Sequence, residues 1–186
     1  MKAFVVDRYG KGDGARFGDM PEPVVRAADV LVRVHAAGVN VLDSKIRDGE
    51  FKLILPYRLP LILGNDVAGV VIRVGSKVRR FKAGDEVYAR PHKDRIGAFA
   101  EFISMNEDNV AIKPKALTME EAASIPSYSF LFMRANGDQL REITSLIDAG
   151  IIRPIVAKVF PFELMKEALA YVDTGRAKGK VVVKVR

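Results

Sequence analysis

Two stretches of this chain gather the polar side chains best placed to do chemistry: Gly38-Val39-Asn40-Val41-Leu42-Asp43-Ser44-Lys45-Ile46-Arg47 and Gly64-Asn65-Asp66-Val67-Ala68-Gly69-Val70-Val71. On periodicity alone they have a plain structural account. Asn40 is then a turn residue, Asp43 a helix cap, and Lys45 and Arg47 are solvated helix charges. Other chemistries are narrowed by what is missing. With Cys 0 there is no thiolate ligand, nucleophile or disulfide. The two histidines, His35 in an alternating strand pattern and His92 after Pro91 in a polar stretch, are isolated and read as structural or solvated residues. No metal site is expected.

Two glycine-rich stretches invite a phosphate-binding reading and fail it. Gly10, Gly12, Gly14 and Gly18 follow the first apolar run, but Phe17 stands where the third glycine of G-x-G-x-x-G belongs, and Met20-Pro21-Glu22-Pro23 precludes a helix there. Without a helix N-terminus a pyrophosphate loses its aligned N–H groups. The stretch reads as a flexible hairpin loop. Gly175 to Lys180 is one residue short of a phosphate loop and leads into a strand. A chain with no thiolate, no metal cluster and no such loop cannot run redox chemistry unaided.

The elements that must position these residues change character along the chain. Ala3–Val6, Val30–His35 running on toward Gly38, Val67–Val74, Glu86–Ala89 and Ala98–Met105 are short strands separated by Gly and Pro, the pattern of an antiparallel barrel or sandwich. A short helix is expected at Asp43–Asp48, with Asp43 or Ser44 as N-cap and Gly49 beyond its end. Thr118-Met119-Glu120-Glu121 has capping-box spacing and opens about two helical turns ending at Pro126. Ser127–Met133 reads as a strand. A helix over 137–149 places Leu140, Ile143 and Ile147 on one face, with Gly150 as its stop. Another over 162–173 aligns Leu164, Ala168, Leu169 and Val172, and a closing strand spans 180–185.

The net charge is +7, which raises the question of nucleic acid. The charge is dispersed: residues 1–126 hold 20 Lys+Arg against 17 Asp+Glu, and residues 127–186 hold 10 against 6. The densest cluster, Arg73, Lys77, Arg79, Arg80 and Lys82, alternates with apolar residues as the solvated face of strands and a turn. Nucleic acid is therefore not the expected partner. The apolar stretches are too short for a membrane span, and the N-terminus lacks a signal-peptide run, so a cytoplasmic location is expected.

Both motif stretches resemble the medium-chain dehydrogenase/reductase superfamily, in its zinc-independent, quinone oxidoreductase-like branch. The resemblance continues through Gly75, Val78, Phe81, Gly84-Asp85 and Val87, through Ala122-Ala123-Ser124-Ile125-Pro126, and through Gly175-Arg176-Ala177-Lys178-Gly179-Lys180-Val181. Zinc-using relatives carry Cys where Asn40 stands and His where Asn65 stands. The resemblance implies an α+β, mainly β fold, a GroES-like partly open β-barrel with a few flanking helices.

It also implies a departure. In the family, the stretch like Ala-Ser-Ile-Pro opens a long Rossmann domain. Here Ser127-Tyr128-Ser129-Phe130-Leu131-Phe132-Met133 follows at once and resembles the segment that leaves that domain. A βαβ unit takes about 30 residues, so the implied architecture has no Rossmann domain. Residues 1–126 and 127–186 then form two parts of one catalytic domain, joined near 126/127. In intact relatives a hydride passes from NADPH to a quinone or to the β-carbon of an enone. By resemblance Asn40 and Asp43 place the nicotinamide ribose and substrate, and Lys45 touches the ribose or the substrate carbonyl, where a cation answers charge building on oxygen. Phe130 and Leu131 border the nicotinamide, and Lys180 lies near the cofactor cleft. Asn40 and Lys45 are the implied catalytic pair. No cofactor is expected to bind this chain tightly, and inactivity alone and self-association are expected. The rival reading is a GroES-like scaffold engaging a protein or nucleic acid.

Overall fold

The structure, a computed structural model, describes residues 1–125 and 136–186. The strand expected over 127–133 and the 126/127 joint lie outside the described residues. Among the described residues, ten strands and four α-helices follow in chain order: β1 Lys2–Val6, β2 Ala15–Asp19, β3 Asp29–Val39, α1 Val41–Asp48, β4 Leu61–Ile62, β5 Asp66–Val74, β6 Glu86–Ala89, β7 Phe102–Asn106, β8 Val110–Ile112, α2 Met119–Ala123, α3 Gly137–Asp148, β9 Val156–Pro161, α4 Met165–Asp173 and β10 Lys180–Lys184.

They form two sheets. One has the order β2-β1-β4. The other is seven-stranded, β8-β6-β5-β3-β10-β9, with β7 also paired to β3. Its ends, β8 and β9, do not pair with each other, so the barrel stays open. The fold is mainly β and GroES-like, as the resemblance implies. β3 is the hub: it is antiparallel to β5, β7 and β10. β9 runs parallel to β10, a pairing that needs a crossover helix, here α4. The core fills the space under these strands with Phe4, Val30, Val32, Leu63, Phe99, Met105, Met165 and Leu169, all fully or almost fully buried.

The local signals explain the helices. Thr118 Oγ1 accepts the Glu121 N–H at 3.1 Å while the Glu121 carboxylate accepts the Thr118 N–H at 2.9 Å, the reciprocal capping of α2. α3 buries Leu140 and Ile147 and is tied to the sheet by the buried Tyr88 hydroxyl, which donates to the Leu140 carbonyl. The expected helix over 162–173 starts with a 3-10 turn, Phe162–Leu164, before α4. Several expectations change. Ala15–Asp19 is a paired strand rather than a flexible loop, in register Lys2↔Asp19 through Val6↔Ala15, because one hairpin arm finds a ladder the glycine count could not reveal. β4, β8 and β9 are further strands outside the expected set, and the strand expected from Ala98 begins at Phe102.

One buried ion pair braces the far end of β3. Both Asp29 carboxylate oxygens accept from Arg95, at 3.0 and 2.7 Å, and the Ser104 hydroxyl and Arg26 N–H add two more donors. Burial works against the Asp29 charge, yet this donor set outweighs it and holds the carboxyl below its ordinary range.

Candidate functional site

Four neighbouring strands in the order β6-β5-β3-β10 run antiparallel, so alternate strand starts and ends meet at one edge of the sheet. Arg90 follows the end of β6, Asp66 begins β5, Asn40 follows the end of β3 and Lys180 begins β10. Their side chains converge. The Asp66 carboxylate, with none of its side chain exposed, accepts from Asn40 Nδ2 at 2.9 Å, from Lys180 Nζ at 3.2 Å and from Arg90 Nη1 at 3.1 Å. Lys180 Nζ also donates to Asn40 Oδ1.

Asn40 opens α1 as its N-cap, with φ −120° and ψ 154°. The helix therefore starts at Val41, two residues before the expected 43. Asp43 is the third helical residue rather than the cap, and its carboxylate reaches back to accept the Asn40 N–H at 2.8 Å. Asn40's own amide is engaged by Asp66 and Lys180. Gly49, at φ 82°, ends the helix as expected. Asn65 Nδ2 donates to the second Asp43 oxygen at 2.7 Å. Burial is the leading influence on Asp43 and, with Asp66 nearby, pushes its carboxyl up to about 6 against the opposing hydrogen bonds from Asn40 and Asn65. Gly38 makes the close approach possible. A Cβ there would lie 2.6 Å from the Ala123 carbonyl oxygen and 3.3 Å from Asp66 Oδ2, so any side chain would force α2 and Asp66 off the end of β3.

Of the residues singled out from sequence, Asn40, Asp43 and Lys180 meet here. Lys45 lies on α1 with its ammonium 3.3 Å from Glu50 and over the Phe51 ring. Phe130 and Leu131 lie outside the described residues. Sequence reasoning gave no site role to Asp66, Asn65 or Arg90. The first two stood inside the second motif, whereas Arg90 carried no local signal at all. His35 sits within β3, where burial lowers its pKa, and His92 Nδ1 accepts the Asp94 N–H. Among the described residues no group of three or more His, Cys, Asp or Glu side chains is placed to hold a metal, and no helix is long and apolar enough to cross a membrane.

The arrangement presents an amide whose oxygen is taken by an ammonium, beside two cations anchored on one buried carboxylate. Such a set can offer hydrogen bonds to an oxygen of a ligand and temper negative charge on it.

Comparison with known proteins concerns the family and the fold. A family profile described as the alcohol dehydrogenase GroES-like domain matches residues 26–115. The chain is 39% identical over 140 residues to the mitochondrial NAD(P)H oxidoreductase RTN4IP1 of Homo sapiens, covering 68% of this chain and 35% of that one. It is 38% identical over 133 residues to the chloroplastic NADPH-dependent alkenal/one oxidoreductase of Arabidopsis thaliana, covering 68% and 34%. The chain thus spans about a third of the length of these relatives. In fold it is similar to the solved quinone oxidoreductase from Coxiella burnetii, with TM-score 0.92 at 19% identity, covering 100% of this chain and 99% of that one.

Proposed function

We infer, since the chain belongs to the quinone oxidoreductase-like branch of the medium-chain dehydrogenase/reductase superfamily and carries its GroES-like domain, that it is the catalytic domain of a zinc-independent, NADPH-dependent quinone or enone oxidoreductase. The observation that carries this reading is the meeting of its two segments. β10 lies antiparallel on β3, and that register sets Lys180 on Asn40 and Asp66. On this reading residues 1–126 and 127–186 are two parts of one domain, joined near 126/127 without the cofactor-binding domain between them.

When bound, NADPH supplies the hydride. The donor set at the sheet end suits the oxygens of its nicotinamide end and of a substrate carbonyl: Asn40 and Lys180 hold and orient, and Lys45 stands one turn further along α1. Neither glycine-rich stretch suits the pyrophosphate. The loop containing Gly10–Gly14 runs into β2 and the one containing Gly175–Gly179 into β10, so neither presents a helix N-terminus. The chain is therefore inactive alone. It also associates with itself, a reading supported by the apolar residues Ile151, Ile155 and Val159, which are 69%, 71% and 43% exposed on and beside the outermost strand β9. A cytoplasmic location belongs to this reading, supported by the lack of cysteine, beside relatives named mitochondrial and chloroplastic; imaging of a tagged chain tests it.

NADPH oxidation with 1,4-benzoquinone and with 2-cyclohexenone tests the function, using the chain alone and a chimera that carries a relative's cofactor-binding domain between residues 125 and 136. The chimera turns over and the chain alone does not. A folded chimera that binds NADPH and reduces neither substrate refutes the assignment.

A further inference from the structure

We propose that Asp66 is a positioning residue that, with Lys180, fixes the Asn40 side-chain amide in one orientation, so that this amide meets its ligand as a hydrogen-bond donor. The proposal rests on the reading that Asn40 contacts the ligand. A side-chain amide can present either its NH2 or its oxygen after a half-turn about its last bond, and only its neighbours decide which. Here both ends are specified. The NH2 end faces Asp66 Oδ2 at 2.9 Å, and Asp66 has no exposed side-chain surface. The oxygen faces the ammonium of Lys180. Turning the amide over would set its oxygen against a carboxylate oxygen and its NH2 against an ammonium, two repulsive contacts in a poorly solvated place.

Asp66 is itself held. Arg90 takes its other oxygen at 3.1 Å, and Lys180 bridges from the opposite strand at 3.2 Å. Gly38 leaves the space in which its Cβ sits, 3.1 Å from where a Gly38 Cβ would be. The Asn40 backbone is fixed as well, through its N–H to Asp43. An ammonium on Oδ1 draws electron density from the amide, which weakens the oxygen as an acceptor and strengthens N–H donation. The ligand group that suits this amide is a hydrogen-bond acceptor, such as the carbonyl oxygen of an enone, a quinone or a carboxamide, in preference to a donor.

The test is a nitrogen–proton correlation spectrum of the whole chain, with the Asn40 NH2 pair assigned by its loss in Asn40→Ala. It is repeated in Asp66→Asn and Lys180→Gln, and with 2-cyclohexenone added. Backbone signals of Val30 and Met105, paired at the other end of β3, report whether each variant stays folded. The two Asn40 protons should be well separated in the unsubstituted chain and move toward each other in both variants. Cyclohexenone should shift them, with affinity about tenfold weaker in Asp66→Asn, the scale of one hydrogen bond. Asn40 signals that ignore both substitutions while the backbone signals persist overturn the proposal. Asn40 signals that respond to the substitutions and never to cyclohexenone leave the positioning role standing and overturn instead the reading that Asn40 contacts an enone.

Discussion

The buried carboxyl of Asp43 makes stability depend on pH in a way that can be calculated and measured. Its ordinary value is near 3.8, and burial pushes it up to about 6 in the folded chain. Between those two values the folded state holds more protons than the unfolded state, so unfolding free energy falls as pH rises from about 4 to about 6 and is level outside that window. A separation of about two units corresponds to about 3 kcal/mol, a large share of the margin of a small domain. Asp43→Asn removes the titration. It keeps one oxygen acceptor for the two donors, Asn40 N–H and Asn65 Nδ2, so the variant loses about 1 to 3 kcal/mol through the orphaned donor at any pH. The pH dependence, not the offset, is the diagnostic. Urea denaturation of both proteins at pH 4, 5, 6 and 7 gives the two curves, and the titrations they share cancel in the difference. The unsubstituted chain should lose about 3 kcal/mol relative to the variant across that range, most steeply near pH 5. Parallel curves would mean that the hydrogen bonds from Asn40 and Asn65, with the nearby Lys180 charge, fully offset the cost of burial, and the reasoning would be wrong.

Three further outcomes follow from the same geometry. Arg95→Ala should cost about 3 to 5 kcal/mol at neutral pH, because it strands the Asp29 carboxylate, 1% exposed, without its guanidinium. Since that carboxyl is held low, the difference should shrink as pH falls below about 4, and urea titrations at pH 7 and pH 3 check both parts. Elemental analysis after dialysis should find no stoichiometric zinc, given Cys 0 and amides at positions 40 and 65; about one zinc per chain would contradict this. Calorimetric titration with NADPH should give a dissociation constant of about 1 mM or weaker, the equivalent of about 4 kcal/mol from a few nicotinamide-end contacts, and micromolar affinity would reveal a nucleotide site elsewhere.

What the sequence determined by itself was local. Thr118 and Glu121 announce α2 because a capping box is complete within four residues, and the apolar spacing of Leu140, Ile143 and Ile147 with Gly150 bounds α3 to within a residue. The motif around Asn40 and Asp43 was legible as a place where polar groups gather, although the cap fell on Asn40. The expected caps were Asp43 or Ser44; the structure instead starts the helix after Asn40, with the Asp43 carboxylate reaching back to the Asn40 N–H. Tertiary structure decided the rest. Lys180 meets Asn40 across 140 positions of sequence and Asp66 across 114, and Arg90 joins Asp66 across 24. No periodicity encodes those meetings. They follow from the register of β10 on β3 and of β6 on β5, fixed by which faces bury valines and alanines in the shared core. A strand carries its side chains with period two whatever its partner is, so the sequence marks each strand's buried face, and only the assembled sheet brings four strand ends to one edge and makes a site of them.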